Sequence, residues 1–451
     1  MKINYQQACE LIQEADGLSS SQIEKLRNQR LSVLFRYVKE HSPLFGAMYR
    51  GIDGENITLD KLPVTEKEQL APHIEEWFTD RCLTMPVLQH YMEQESDSSN
   101  QLLGQYTALT TSGTTGNPLI MIRDNFHNVV HGALINLRFL RGFDSSIMNP
   151  VHNRIASVIF TSGKVSSYAS FVKVQKANPD YAGNMIAISV LEQISTIVKK
   201  LNDFQPDILS GYPSVLANLG QEQQAGRLNI KPKLLACSAE VLTRDNYNLL
   251  REVFDCPVLN NYCTTEGGEL AMSCSEGQLH INSDWVIIEA VDENDREVKD
   301  GVLSSSILVT DLSNFVQPII RYRMKDQVRI SRELCSCGSP HPTVEVIGRM
   351  FDFFFLGGNR INPLPLCCQM HEIKGLLDYQ FVQETDDAIR FRYIPVHGFN
   401  PEDIERQVAP LIEHFLKSND CSHVSFVFVE GQLIKNTSGG KSNHVLNLFK
   451  K

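Results

Sequence analysis

Apolar positions in the first hundred residues recur at helical spacing. Ile23, Leu26, Leu34 and Val38 follow Ser19, Ser20 and Ser21, whose hydroxyls suit helix N-caps. Residues 1–100 are therefore expected to be mostly helical. Beyond residue 105 the pattern changes to short apolar runs alternating with amphipathic segments. Ile155–Phe160, Met185–Ser189, Ile208–Gly211 and Leu234–Ser238 are such runs, and their alternation predicts an α/β fold with a largely buried, multi-layer sheet. Residues 284–332 read as strand-rich, with Val286–Ala290, Ser304–Thr310 and Val328–Ile330. The last hundred residues read as a smaller α+β unit. Phe381–Glu384, Ile389–Tyr393 and Val424–Val429 look like strands. Asn400-Pro401-Glu402-Asp403 supplies an N-cap, an N1 proline and first-turn acids to a helix with an apolar face of Ile404, Val408, Leu411, Ile412 and Phe415. The boundary is expected near Gly348-Arg349, giving a domain of 1–348 and a second of 349–451.

Charge and composition narrow the classes. The chain has 451 residues and a net charge of -11 with histidines neutral. That balance argues against nonspecific nucleic-acid binding, which relies on clustered Lys and Arg. No apolar run approaches the roughly 18–20 residues that span a bilayer. The N-terminus lacks a basic segment followed by an apolar block, so no secretory signal is expected and the cytoplasm is the expected location. Eleven cysteines without an export signal do not make a disulfide framework. Reduced, buried thiols or a metal site are the alternatives.

The most informative segment is Thr110-Thr111-Ser112-Gly113-Thr114-Thr115-Gly116-Asn117-Pro118. Glycines let a backbone turn tightly and bring N–H groups to an anion, and interleaved hydroxyls add donors for phosphate oxygens. A P-loop would need Gly, four residues, then Gly-Lys-Ser/Thr. This segment has no lysine, and Gly440-Lys441-Ser442 has Lys435 where that motif needs glycine.

The loop resembles the signature of the ANL adenylate-forming superfamily, and the chain is more narrowly similar to its phenylacetate–CoA ligase branch. Ser42-Pro43-Leu44-Phe45 and Leu62-Pro63-Val64-Thr65-Glu66-Lys67 match that branch's opening region, and the likeness runs from there to the C-terminus. The resemblance implies an ATP site. Thr111, Ser112, Gly113, Thr114, Thr115 and Gly116 would hold phosphate. Ser238-Ala239-Glu240 would lie against adenine. Asn261-Tyr262-Cys263-Thr264-Thr265-Glu266 matches Tyr-Gly-x-Thr-Glu, with Cys263 at the glycine position. It would stack Tyr262 on adenine, reach the α-phosphate with Thr265 and hold Mg²⁺ with Glu266. Asp326, at the end of Pro318–Asp326, would take the ribose diol. For Arg321, in the same stretch, a salt bridge is an alternative. Gly348-Arg349 opens the hinge motif, where Arg349 is a candidate ATP contact and Phe351 replaces the first of two aspartates. Asn436–Lys441 resembles the C-terminal catalytic-lysine motif. Lys441 would neutralise charge that builds at the α-phosphate.

Cys274, His280, Cys335 and Cys337 form a candidate Zn²⁺ set, with His341 as a substitute ligand. Four protein ligands would make the site structural. The implied activity converts a carboxylic acid and ATP into acyl-AMP and pyrophosphate, then transfers the acyl group to a thiol, first of all that of coenzyme A. Acid-pocket residues are expected among 160–168, 210–213 and 237–239, where Phe160 and Tyr212 suit an aromatic acid. An amine or carrier-protein acceptor is an alternative, as is a nucleotide-binding protein that has lost catalysis.

Overall fold

The computed structural model describes residues 3–54, 57–93, 101–111, 119–144, 146–161, 166–190, 192–348, 353–361, 363–370, 373–396, 398–431, 433–434 and 444–449. They form two compact units. The larger comprises 1–111, 120–189 and 194–348, and the smaller is built on 349–451. No helix among the described residues is long and apolar enough to cross a membrane.

The N-terminal helices begin where the sequence supplies caps. Ser19 caps Ser20–His41, and its N–H is answered by the Gln22 side chain in a capping box. Asn4 and Gln7 repeat the device for Tyr5–Asp16. Ser42 caps the short Pro43–Met48 helix. The segment 62–67 is held from far along the chain at Thr65. The Thr65 N–H donates to Arg321 O at 3.0 Å, and its hydroxyl donates to Ile320 O at 2.9 Å.

The scaffold that follows is a hairpin and then a large sheet. Strands β1 (Thr107–Thr110) and β2 (Ile120–Arg123) pair antiparallel, so the hydroxyl- and glycine-rich segment is the hairpin's connection. Next come β3 (Ile155–Ile159), β4 (Met185–Ser189), β5 (Ile208–Gly211), β6 (Leu234–Ser238), β7 (Val258–Thr264), β8 (Gly268–Ser273) and β9 (Leu279–Ile281). Then come β10 (Val286–Val291), β11 (Ser306–Asp311), β12 (Tyr322–Met324), β13 (Gln327–Ser331) and β14 (Thr343–Gly348). Nine of them make one sheet in the order β13-β14-β9-β8-β7-β6-β5-β3-β4. Its β4-to-β7 part is parallel and its β7-to-β13 part antiparallel. The parallel strands are nearly continuous apolar runs because helices cover them, as the fully buried residues of β3 illustrate. Strands β10, β11 and β12 form a separate antiparallel sheet.

The parallel part has a topological switch. From β3 the chain moves outward to β4, then returns to the other side of β3 for β5 and continues through β6 and β7. In open α/β sheets, ligands bind in the crevice at the carboxyl ends of strands beside such a reversal. The segments leaving β3, β5, β6 and β7 here are Phe160-Thr161, Tyr212–Ser214, Ala239-Glu240 and Thr265–Gly267.

The smaller unit has its own core. Strands β15 (Phe354–Leu356) and β16 (Asn359–Ile361) form a hairpin. Strands β17 (Leu376–Gln383), β18 (Ala388–Pro395), β19 (Ser425–Glu430) and β20 (Val445–Asn447) form a sheet in the order β19-β18-β17-β20. Asn400 accepts from Glu402 N–H and Pro401 opens the Pro401–Ser418 helix. That helix buries Ile404, Val408, Ile412 and Phe415 against Phe381, Phe391 and Tyr393. Leu411 packs only partly buried at the edge of the same cluster.

Candidate active site and metal centre

Several of the expected nucleotide contacts lie at one edge of the sheet. Ser238 is paired with Asn261 across β6 and β7, which sets the Ser238–Glu240 turn beside Tyr262. Ala239 adopts a left-handed φ of 67° in that turn. The Glu240 carboxylate accepts the Ser214 N–H at 3.1 Å, at the start of the Pro213–Gln224 helix. Burial raises the Glu240 pKa. This side chain therefore caps a helix, a role that sequence reading missed. Its only cue was the missing side-chain cap at Tyr212.

Past Tyr262 the ladder slips by one residue at Cys263, and β7 runs into the turn that bears Thr265 and Glu266. Both residues are half-buried. Thr264 closes the turn by accepting Gly267 N–H at 3.0 Å. The Cys263 thiol, in place of the motif's glycine, is pushed up to about 12, chiefly by burial, and stays neutral. Asp326 is buried just after β12, and Thr111 follows β1. Ser112, Gly113, Thr114, Thr115, Gly116, Arg349, Phe351 and Lys441 lie outside the described residues.

Arg321 makes the salt bridge. Its Nε and Nη2 donate to the two Glu289 oxygens at 3.1 and 2.9 Å, and Nη1 donates to Leu62 O at 2.7 Å. Arg321 therefore joins the two family-like segments and supports the fold. At the switch point, Ser157 and Ser210 hydroxyls meet at 2.7 Å, and Phe160 N–H donates to the Tyr212 hydroxyl at 3.3 Å. Cys237, beside them on β6, is buried and its thiol is pushed up to about 12.

Cys274, His280, Cys335 and Cys337 come together, with ligand atoms all within 4.8 Å of one another. Cys274 Sγ and Cys335 Sγ are 3.9 Å apart, and Cys337 Sγ lies 3.3 Å from His280 Nε2. Two sulfurs bonded tetrahedrally to one Zn²⁺ at about 2.3 Å would sit about 3.8 Å apart. His280 Nδ1 donates to His341 O at 2.8 Å, which leaves the Nε2 lone pair facing the sulfurs. Ser339 N–H donates to Cys337 Sγ at 3.4 Å. The residues present fit a four-ligand ion. His341 is not among them: its Nδ1 lies 2.9 Å from Ser283 Oγ and its Nε2 3.2 Å from Asp16. The cysteines of this set leave β8 and precede β14, strands that β9 connects.

A second polar cluster was not recognised in the sequence, although His127 and His131 stand at i, i+4 on the Asn125–Leu134 helix. His131 Nδ1 donates to Glu269 Oε2 at 2.6 Å, and its Nε2 to Ser313 Oγ at 3.1 Å. The Ser313 hydroxyl donates to Asp311 Oδ1 at 2.6 Å, while His127 Nδ1 lies 3.0 Å from Asp311 Oδ2. Hydrogen bonds and charges from Asp311 and Glu269 outweigh burial and push the His131 pKa up to about 9. Burial and the neighbouring His131 push His127 down to about 4. His127, His131 and Asp311 also bring ligand atoms within 4.8 Å of one another. Their imidazoles, however, stack face to face at 3.9 Å and 24°. Stacked rings point their nitrogens in parallel directions rather than at one ion. Against burial, His131 and Arg123 lower the Glu269 pKa, and His127 and His131 lower that of Asp311.

No family model matches the chain. Among curated proteins it is similar to protein CapK of Staphylococcus aureus, 22% identical over 443 residues, covering 94% of this chain and 89% of that one. It is also similar to the phenylacetate-coenzyme A ligase of Thermus thermophilus, 22% identical over 367 residues, covering 78% and 75%. Among solved structures, the fold matches a 2-hydroxyisobutyryl-CoA ligase in complex with 2-HIB-AMP and CoA in the thioesterification state. The TM-score is 0.59 with 17% identity, covering 96% of this chain and 91% of that one. In sequence the chain is thus similar to phenylacetate-coenzyme A ligases, and in fold to an acyl-CoA ligase, as the resemblance to the phenylacetate–CoA ligase-like branch of the ANL adenylate-forming superfamily implies.

Proposed function

We propose that this chain activates a carboxylic acid with ATP and transfers the acyl group to coenzyme A. In the first step a carboxylate oxygen attacks the α-phosphorus of ATP, and the bond to pyrophosphate breaks. In the second step the coenzyme A sulfur attacks the acyl carbon of acyl-AMP, and AMP leaves. A carboxylate is a poor electrophile, and the mixed anhydride overcomes this because AMP leaves readily. The observation that carries the reading is the Tyr262–Glu266 turn beside Ser238–Glu240 at the carboxyl edge of the sheet. Relatives named phenylacetate-coenzyme A ligase and a fold neighbour that holds an acyl-AMP and CoA support the same chemistry.

In this reading Tyr262 and the Ser238-Ala239-Glu240 backbone flank adenine, and Asp326 takes the ribose hydroxyls. Thr265 reaches the α-phosphate, and Glu266 would hold Mg²⁺, whose charge screens the phosphate oxygens when bound. Thr111, Ser112, Gly113, Thr114, Thr115 and Gly116 cradle the polyphosphate, and Arg349 adds a contact. Residues 1–348 hold ATP and the acid. Residues 349–451 act as a lid that brings Lys441 to the first step. Phe160 and Tyr212, at the switch point, favour an aromatic acid. Cys274, His280, Cys335 and Cys337 would hold one structural Zn²⁺, with no position left open for chemistry.

Pyrophosphate release measured over a panel of acids, with and without coenzyme A, tests this. Release should depend on the acid, and coenzyme A should convert a single turnover into many. Turnover supported only by an amine would replace the acceptor. Release with no acid dependence would remove the adenylation reading.

A further inference from the structure

The turn that bears Thr265 and Glu266 is held from two sides by residues outside every recognised motif. On one side is Arg123, at the end of β2. Its Nη2 donates to Thr264 O at 3.1 Å and to Thr265 O at 2.9 Å. The residue is 8% exposed, and its charge reaches the Glu269 carboxylate, whose pKa it helps to lower. Its Nε is buried without a partner. Burying a guanidinium this way is costly, since carbonyl dipoles replace its hydration only in part. A neutral, shorter side chain would avoid that cost but would not reach both carbonyls from β2 with a planar donor fork.

On the other side the turn rests on the imidazole pair. Gly268 has φ 69°, and a Cβ there would lie 2.4 Å from His131 Cε1. Glu269, the next residue, is bonded to His131 through its carboxylate. His131 is tied in turn to Ser313, and Ser313 to Asp311 at the end of β11. The backbone from 264 to 269 is therefore fixed at its carbonyls and at its far end. Between these two points stand Thr265 and Glu266.

We propose that Arg123 is a positioning residue for acyl-AMP formation: by gripping the carbonyls of Thr264 and Thr265 it presets the Thr265 hydroxyl and the Glu266 carboxylate for the nucleotide phosphates and their divalent cation. The proposal rests on the adenylation reading above. It assigns Arg123 no contact with ATP. Its consequence is specific to the first half-reaction and to the cation dependence, because the turn it sets carries the residues assigned to phosphate and Mg²⁺. A displacement on the order of 1 Å in such groups slows chemistry by roughly a hundredfold.

The test compares wild-type enzyme, Arg123→Gln and Arg123→Lys in acid-dependent pyrophosphate release as Mg²⁺ is titrated. Transfer from preformed acyl-AMP to coenzyme A is measured in parallel. Arg123→Gln should lower kcat of pyrophosphate release by roughly tenfold to a hundredfold. It should also raise the Mg²⁺ concentration for half-maximal rate, while KM for the acid and the transfer rate stay near wild type. Arg123→Lys, which retains the charge but not the fork, should fall between the two. Thermal unfolding of each variant shows whether it is folded. If Arg123→Gln unfolds, the folded Arg123→Lys decides the matter through its Mg²⁺ dependence. Wild-type Mg²⁺ dependence in a folded variant would overturn the proposal, as would equal slowing of both half-reactions. Absence of acid-dependent pyrophosphate release in the wild type would instead bring down the adenylation reading on which it stands.

Discussion

His131 is a buried imidazole held in its charged form by its surroundings. The groups that face it are His127 on its own helix, Glu269 on β8 and Asp311 at the end of β11, and the charge of Arg123 on β2 acts on Glu269. Its pKa stands near 9 in the fold against an ordinary 6.5. A raised folded-state pKa means that the native state keeps a proton the unfolded chain has released. Its contribution is complete below about pH 6.5 and is lost as pH rises through about 9. The ceiling for such a shift is about 3 kcal/mol. Chemical denaturation at pH 6.5 and pH 9.5 should show stability falling over this window, and His131→Gln should flatten that fall. An unchanged slope in the variant would mean that the proton sits elsewhere. Gly268→Ala should cost about 2 kcal/mol or more, because it strains a left-handed backbone and drives a methyl into the His131 ring. A folded variant with wild-type stability would contradict the packing described here. The His-x-x-x-His spacing was visible in the chain. Its partners at 269 and 311 were not, because only strand packing brings them under one helix.

At the scale of elements, the Cys274–His280–Cys335–Cys337 set reaches further than its four residues. His280 donates to the backbone of His341, and His341 Nε2 meets Asp16 at the end of the Tyr5–Asp16 helix. Asp16 is also paired with Arg138, and Arg138 with the buried Asp284, which holds Arg30 of the Ser20–His41 helix. The Ser20 hydroxyl donates to Pro340 O, beside the same loop. The first two helices are thus docked onto the segment that the Cys335–Cys337 loop organises. Protein purified without chelator should contain one Zn²⁺ per chain. Cys335→Ser, or chelation, should lower the unfolding temperature. It should also raise hydrogen exchange in 5–41 while leaving the Pro401–Ser418 helix protected. Metal-free protein with full stability and unchanged exchange would reduce the set to four packed side chains. The helix starts at Ser19 and Asn400 were readable, because both cap through contacts within three residues. The long-range docking was not, since Asp16 and His341 are far apart in sequence.

For the whole molecule, the division near residue 348 gives Lys441 a distinct prediction. If the lysine serves acyl-AMP formation from a lid that alternates, Lys441→Ala should slow that step by roughly 10²–10³-fold. Transfer from preformed acyl-AMP should be much less affected, and ATP binding nearly unchanged. Measuring the two half-reactions separately checks this. Equal slowing of both would mean that the lysine is misassigned or that the lid does not alternate. Full activity in both would return it to the solvated tail.

Local information in the chain determined much of this protein. Apolar periodicity set most strands of the large sheet to within a residue or two, because each is a contiguous run that must be buried. Cys274, His280, Cys335 and Cys337 were nameable as a set because their chemistry is restrictive even without coordinates. The tertiary structure alone decided which histidine faces the thiols. It also turned Glu240 into a helix cap and Arg321 into a brace, and it revealed Arg123 beneath the Thr265–Glu266 turn. Each of these depends on the direction of a side chain relative to a segment between 26 and 259 residues away. Sheet order sets such directions, and order in a sheet is a property of the assembled layers that no local stretch of sequence carries.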